Sequence, residues 1–226
     1  ALDFTSTGSG LWNAGNWDTV GTPNVNSGTD NATIAAGHTV TVNPTVDPGP
    51  GDFTIRNNNT VTVQDGGTLT HNTGNWFRMA QNSDGTLNIE GGTVTRGSAG
   101  NLAWGINGGT ANIVIGDGIG APGSAILQRN GGILSLGMNR DGGAGFGVMT
   151  INSDGIYTAS SGDTFIGEDS GATATLTMND GAQFVQGGND LHFGRRGNAT
   201  VVTHGNASIN HTPANWVWIG RASGTS

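Results

Sequence analysis

Cysteine is absent from the 226 residues of the chain, and lysine is absent too, since all eight basic residues are arginine. Without cysteine the chain forms no disulfide and no thiolate metal site. Without lysine it cannot form a lysine Schiff base, place a P-loop lysine on a phosphate or make a lysine isopeptide cross-link. These two absences remove several classes of enzyme before any motif is considered.

Positive charge and long apolar runs are also scarce. Sixteen acidic residues against eight basic ones give a formal net charge of −8. Binding to nucleic acid takes a basic surface, so nucleic acid is excluded as a partner. No apolar run approaches the roughly 18 residues of a transmembrane helix, so the sequence predicts no membrane span. The chain begins at Ala1, which either a removed signal peptide or a trimmed N-terminus would explain.

Helical periodicity is missing as well, because glycine, with 42 residues, interrupts nearly every window. Alternating segments of four to six residues dominate, and glycine, asparagine and aspartate bound them. Such segments predict short strands joined by tight turns.

A short strand motif, here called the anchor, recurs seven times along the chain. The anchors end at Ile55, Met79, Trp104, Leu136, Ile166, Phe193 and Ile219, with spacings of 24, 25, 32, 30, 27 and 26 residues. Glycine follows each of the last five anchors. Two more strands lie between successive anchors. One contains Val61, Leu87, Ile113, Met149, Leu176 or Val201, and the other is centred on Leu69, Val94, Ile126, Ile156, Phe184 or Ile209.

Three strands in each repeat of this length predict an all-β fold, a three-sided parallel β-helix of about seven coils of about 25 residues, which we expect to be right-handed. The two longest spacings are assigned to corner insertions at 116–123 and 139–145. Residues 1–29, with Trp12 and Trp17, lack the repeat and are interpreted as an N-terminal cap or assembly segment, with the solenoid at 30–226.

Two inward columns of stacked side chains follow from this register. The first column contains Ile89, Ile115, Ile151 and Met178. The second contains Trp104, Leu136, Ile166, Phe193 and Ile219. Threonines 68 and 70 are expected to stack on threonines 93 and 95.

Several phrases resemble the repeats of autotransporter-type passengers and related bacterial surface proteins. They are 85–89 (GTLNI), 91–95 (GGTVT) and 65–70 (DGGTLT), and the opening 11–17 (LWNAGNW) followed by 30–34 (DNATI) is similar to the start of such proteins. The resemblance covers nearly the whole chain and implies a right-handed parallel β-helix that is secreted and stands at the cell surface. It carries over no catalytic residue.

Polar residues offer little chemistry in this pattern. Asp65, Asp84, Asp154 and Asp180 fall at corners, where aspartate commonly stabilises turns. The densest polar cluster, Asp190, His192, Arg195 and Arg196, is interpreted as a solvated corner. We therefore predict that the chain is not an enzyme and has no cofactor, although Asp-Gly corners leave a structural calcium open. Asparagine sequons occur at Asn31, Asn58, Asn198, Asn206 and Asn210.

Strand alternation places Phe165, His192 and Trp218 on an outward row beside Arg195 and Arg221. Such a row predicts a contact face for a second copy or a surface glycan, unless a loop covers it. Glu168 and Arg195 are expected to form an ion pair between coils.

The open C-terminal end predicts self-association, head-to-tail or side-by-side, with Trp12 and Trp17 as the partner surface. Three functions follow in order: a structural subunit of an extracellular fibre, sheath or layer, an adhesin or glycan-binding stalk, and a polysaccharide-degrading enzyme.

Overall fold

The fold is that of a computed structural model, which describes residues 2–12, 17–18, 23, 31–34, 38–42, 53–71, 76–97, 100–140, 142–212 and 215–220. These residues form a parallel β-solenoid with three sheets, and no helix occurs among them. The predicted all-β parallel solenoid with three sheets is therefore confirmed, and its right-handedness stays a prediction.

Each coil contributes one strand to each sheet, except that the coil of β1 and β2 has no strand of the third sheet among the described residues. The first sheet contains, in order, β1 (Asp3–Thr5), β3 (Asn31–Ile34), β6 (Asn59–Gln64), β9 (Gly85–Glu90), β12 (Thr110–Ile115), β15 (Phe146–Ile151), β18 (Thr173–Met178) and β21 (Asn198–Thr203). The second contains β2 (Gly10–Leu11), β4 (Thr39–Val42), β7 (Thr68–His71), β10 (Thr93–Arg96), β13 (Ala125–Arg129), β16 (Gly155–Ala159), β19 (Gln183–Gln186) and β22 (Ser208–His211). The third contains β5 (Phe53–Ile55), β8 (Phe77–Gln81), β11 (Leu102–Ile106), β14 (Leu134–Met138), β17 (Thr164–Ile166), β20 (Leu191–Phe193) and β23 (Val217–Ile219).

All seven predicted anchors are strands of the third sheet, and the predicted columns are in register. The first column, from Ile89 to Met178, is completely buried. The second column is buried from Trp104 to Ile166, but Phe193 is only partly buried and Ile219, in the last coil, is 82% exposed. The paired threonines of β7 and β10 stack as predicted.

The second sheet corrects one prediction. Val94 pairs with Leu127, and Leu127 pairs with Tyr157, so Ile126 and Ile156 are not the inward residues of β13 and β16. Leu127 and Tyr157 are completely buried, whereas both isoleucines are partly exposed. Two adjacent apolar residues satisfy either register, and a slip of one residue exchanges the two faces of a strand.

Corner aspartates hold successive coils together. Asp84 accepts the backbone N–H of Thr110 at 2.8 Å, and Asp180 accepts that of Asn206 at 2.6 Å, each 26 residues later. Asp154 is wholly buried, and its Oδ1 accepts the N–H of Gly118 at 2.9 Å in the inserted corner. A Cβ on Gly116, which has a φ of 87°, would overlap this carboxylate. These aspartates therefore form hydrogen bonds between coils, in addition to their expected role in turns.

The predicted cap contains the first strands of two sheets. Strand β1 pairs with β3, and β2 pairs with β4. Trp12 and Trp17 are 1% and 6% exposed, and their ring centroids are 5.0 Å apart. Trp12 also packs edge-on against Phe53 of β5 with a centroid distance of 5.0 Å. These rings therefore close the N-terminal end of the core. Both rings are buried in the described structure, and their predicted role in a contact with a partner stays a prediction.

A column of buried polar residues, interrupted by Ala159, runs along the C-terminal ends of the strands of the second sheet, and the sequence did not predict it. Its members are His71, Arg96, Arg129 and Gln186, each at most 1% exposed. Arg96 Nη1 donates to the carbonyl of His71 at 2.9 Å, and burial lowers the pKa of Arg96 to about 10. The guanidinium therefore remains charged at neutral pH inside the solenoid.

Candidate functional site on the outer face of the third sheet

The three outer faces differ in chemistry. Threonines occupy the outward positions of β7 and β10 in the second sheet and of β6 and β18 in the first, for example Thr68, Thr93, Thr62 and Thr177. On the third sheet, strand pairing aligns Arg78, Ala103, Ser135, Phe165, His192 and Trp218 in one outward row. Charged and aromatic groups therefore distinguish the third face from the threonine positions of the other two.

Most of this row is covered, which corrects the prediction of an exposed aromatic row. Phe165 is 3% exposed and His192 is 4% exposed. The cover comes from the residue after each anchor glycine, which lies across the outward side chain of the preceding coil. Glu168 accepts a hydrogen bond from Ser135 Oγ, and the Arg195 guanidinium lies 4.9 Å from the ring centroid of Phe165. Positive φ angles of 75° at Gly167 and 70° at Gly194 turn the chain at these places.

The predicted ion pair between coils is confirmed. Arg195 Nη1 lies 3.3 Å from Glu168 Oε1. The pKa of Glu168 is nevertheless raised above its ordinary value, chiefly because burial disfavours the charged carboxylate, while Ser135, Arg195 and Arg196 act in the opposite direction. Arg195, which covers Phe165, is thus paired with a carboxylate, that of Glu168, from which burial has removed water.

Rings stack from coil to coil along the row. The centroids of Phe165 and His192 are 4.6 Å apart with planes at 28°, and those of His192 and Trp218 are 6.3 Å apart at 10°. Asp190 Oδ2 accepts the indole N–H of Trp218 at 3.1 Å and lies 3.9 Å from His192 Nε2. The residues of the predicted polar cluster therefore have different partners. Asp190 and His192 contact Trp218, whereas Arg195 pairs with Glu168.

Trp216 is the site residue that the sequence interpretation missed. It is 68% exposed, and its ring centroid lies 5.8 Å from that of Trp218. Its backbone N–H donates to Asp190 Oδ1 at 3.0 Å, and this bond is the largest cause of the lowered pKa of Asp190. The sequence could have indicated this residue, because Trp216 lies directly before an anchor, as Trp76 does in an earlier coil. Trp76 contacts the guanidinium groups of Arg78 and Arg140 at 5.6 and 4.8 Å.

The last coil exposes residues whose counterparts in earlier coils are buried. Val201 pairs with Leu176, Val217 with Leu191 and Ile219 with Phe193. They are 36%, 47% and 82% exposed, whereas Leu176 and Leu191 are completely buried. Strands β21, β22 and β23 are also the terminal strands of their sheets in the described part of the chain. Arg221, the remaining predicted site residue, lies outside the described residues.

Other predictions meet partial tests. Within the described residues, no group of three or more histidine, aspartate or glutamate side chains is placed to hold a metal ion, and calcium stays a prediction. No helix long and apolar enough to cross a membrane occurs in that part of the chain. The sequon residues Asn58, Asn198, Asn206 and Asn210 are exposed, while the side chain of Asn31 lies outside the description.

Comparison with known proteins found no matching family model, no matching curated protein and no matching solved structure.

Proposed function

We propose that the chain is a structural element of an extracellular fibre, sheath or surface layer, in which strands β21, β22 and β23 of one copy stack on strands of a second copy. The observation that carries this proposal is the exposure of inward residues in the coil that contains β21, β22 and β23. Ile219, at 82% exposed, occupies the column position that Ile166 fills at 0% two coils earlier. Covering such a side chain stabilises an assembly by about 1.5–3 kcal/mol.

The second copy is the favoured occupant because its first coil offers matching strand edges. Strands β1 and β2 are terminal strands of the first and second sheets, as β21 and β22 are at the other end. Pairing β21 with β1 and β22 with β2 would continue both sheets in the parallel sense. Such a head-to-tail contact uses two different surfaces and does not close, so it generates a filament. Trp12 and Trp17 then support the contact from inside the core.

The test replaces Ile219 with aspartate and follows association by analytical ultracentrifugation over a wide concentration range, with electron microscopy of the products. The wild type should form concentration-dependent linear assemblies, and Ile219→Asp should remain a monomer because a buried unpaired charge is costly. Ile119→Asp is the matched control, since Ile119 is 87% exposed in a corner insertion. A monomeric wild type, or equal effects of both variants, would contradict the proposal.

The second candidate, an adhesin or glycan-binding stalk, is favoured by the exposed Trp216. It is compatible with the first, because an outer face and a coil end are different surfaces. Both functions place the chain outside the cell or at its surface, in line with the resemblance to exported repeat proteins.

A further inference from the structure

We infer that Trp216, Trp218 and Asp190 form a binding platform for a pyranose ring of a neutral polysaccharide. The inference rests on the second candidate function, glycan binding, and does not depend on the assembly proposed above, because the platform lies on the outer face of the third sheet. Trp218 pairs with His192 in the outward row, whereas Ile219 belongs to the inward column and is 82% exposed.

The two indoles provide an apolar surface of suitable size. Trp216 is 68% exposed and Trp218 is half-buried, with ring centroids 5.8 Å apart and planes inclined by 36°. Large exposed aromatic surfaces tend to mark binding sites on proteins. A pyranose ring has a face of C–H groups that packs on an indole, while its hydroxyl groups point outward from the ring edge. A shallow pair of inclined rings therefore fits a sugar better than it fits a deeply buried ligand.

Asp190 bonds to both tryptophan residues and fixes the indole of Trp218. Its Oδ1 accepts the backbone N–H of Trp216 at 3.0 Å, and its Oδ2 accepts the indole N–H of Trp218 at 3.1 Å. Behind Trp218, the imidazole of His192 is nearly parallel to the indole, at 10°. Because the orientation of Trp218 is fixed before binding, ordering it costs little side-chain entropy on association.

Asp190 also determines the class of glycan. An ionised carboxylate accepts about four hydrogen bonds, and two of these positions are taken by the tryptophans. With 28% of its side chain exposed, Asp190 can accept hydrogen bonds from the hydroxyl groups of a sugar bound beside it. The same negative charge repels uronic acids and sulfated sugars, as does the net charge of −8. Neutral polysaccharides are therefore the favoured partners.

The experiment measures binding of the full chain to soluble β-1,4-glucan, β-1,3-glucan, xylan and mannan by affinity electrophoresis, with isothermal titration for oligosaccharides of those that bind. Bound sugar should also protect tryptophan emission from quenching by acrylamide. Trp216→Ala should weaken binding at least tenfold and abolish this protection. Circular dichroism confirms that each variant is folded.

Two control variants isolate the contribution of the platform. Trp76→Ala removes a tryptophan from the opposite end of the same face, where Arg140 covers the ring at 4.8 Å, and should leave binding unchanged. Ile219→Asp should abolish end-to-end association and keep sugar binding, so failure of one proposal is distinguishable from failure of the other. The inference is overturned if no neutral glycan binds, if only anionic polysaccharides bind, or if Trp216→Ala alters association and not sugar binding.

Discussion

Arg129 provides the strongest test of how the interior is stabilised. Its side chain is completely buried, and all of its hydrogen-bond partners in the described structure are neutral. Nε donates to Tyr157 Oη at 3.1 Å, Nη1 to the carbonyl of Ser161 at 2.7 Å, and Nη2 to Thr164 Oγ1 at 2.9 Å. The carbonyl of Gly132 accepts a further bond from Nη1. Polar groups from neighbouring coils thus meet at one cation.

Replacing Arg129 with methionine keeps much of the apolar volume and removes every donor. The hydroxyl oxygens of Tyr157 and Thr164, both in completely buried side chains, lose the guanidinium donor, and a buried group that loses its partner costs about 1–3 kcal/mol, which gives about 2–6 kcal/mol for both. Relief from burying a cation offsets part of this cost. We therefore expect Arg129→Met to lower the free energy of unfolding by about 2–4 kcal/mol.

Urea unfolding monitored by circular dichroism measures this loss as a lower midpoint at constant slope. Arg196→Met is the control, because Arg196 is exposed, and it should change stability by no more than about 0.5 kcal/mol. A loss below about 0.5 kcal/mol for Arg129→Met would refute the reasoning, since the buried hydroxyl groups of Tyr157 and Thr164 would then have needed no cation.

Two further predictions concern the sheets. Leu127→Ala should lower the free energy of unfolding by about 2–5 kcal/mol because Leu127 is completely buried. Ile126→Ala should change it by no more than about 0.5 kcal/mol. If urea unfolding gives the opposite order, Ile126 and not Leu127 is the inward residue of β13. Burial raises the pKa of Glu168 in the folded chain, so the native state binds more protons than the unfolded state above the ordinary carboxyl range. Stability should therefore fall as pH rises through that window, and Glu168→Gln should flatten the fall; an unchanged pH profile in the variant would contradict this assignment.

The coil architecture could be predicted because each coil repeats the same demands on the chain. Alternating apolar residues must face one narrow core, and corners need residues that adopt tight turns. The anchors satisfied both demands seven times, so errors in one coil did not propagate to the others. The register of β13 and β16 failed because Ile126 and Leu127, like Ile156 and Tyr157, are adjacent apolar residues. The hydroxyl of Tyr157 distinguishes the two registers, since it reaches Arg129 only from inside.

The buried arginines lay beyond prediction for a different reason. Alternation assigns Arg96 and Arg129 to the inward face, yet an isolated charge is unfavourable in an apolar core. The acceptors of Arg129 include carbonyls in a turn of the following coil, those of Ser161 and Gly162. The alternation of apolar residues predicts where the strands lie, but it gives no backbone geometry for the corners between them. The positions of these carbonyls therefore could not be predicted from the sequence.

At the outer site, too, the sequence pattern did not predict contacts between neighbouring coils. Alternation correctly placed Phe165, His192 and Trp218 in one row. Exposure depended on another residue, Arg195, which belongs to the next coil and reaches back over Phe165. An outward residue is therefore covered when a long side chain follows the anchor glycine one coil later. Phe165 is therefore a supporting ring, and the accessible surface lies at the exposed Trp216 beside Trp218, where the binding platform is proposed.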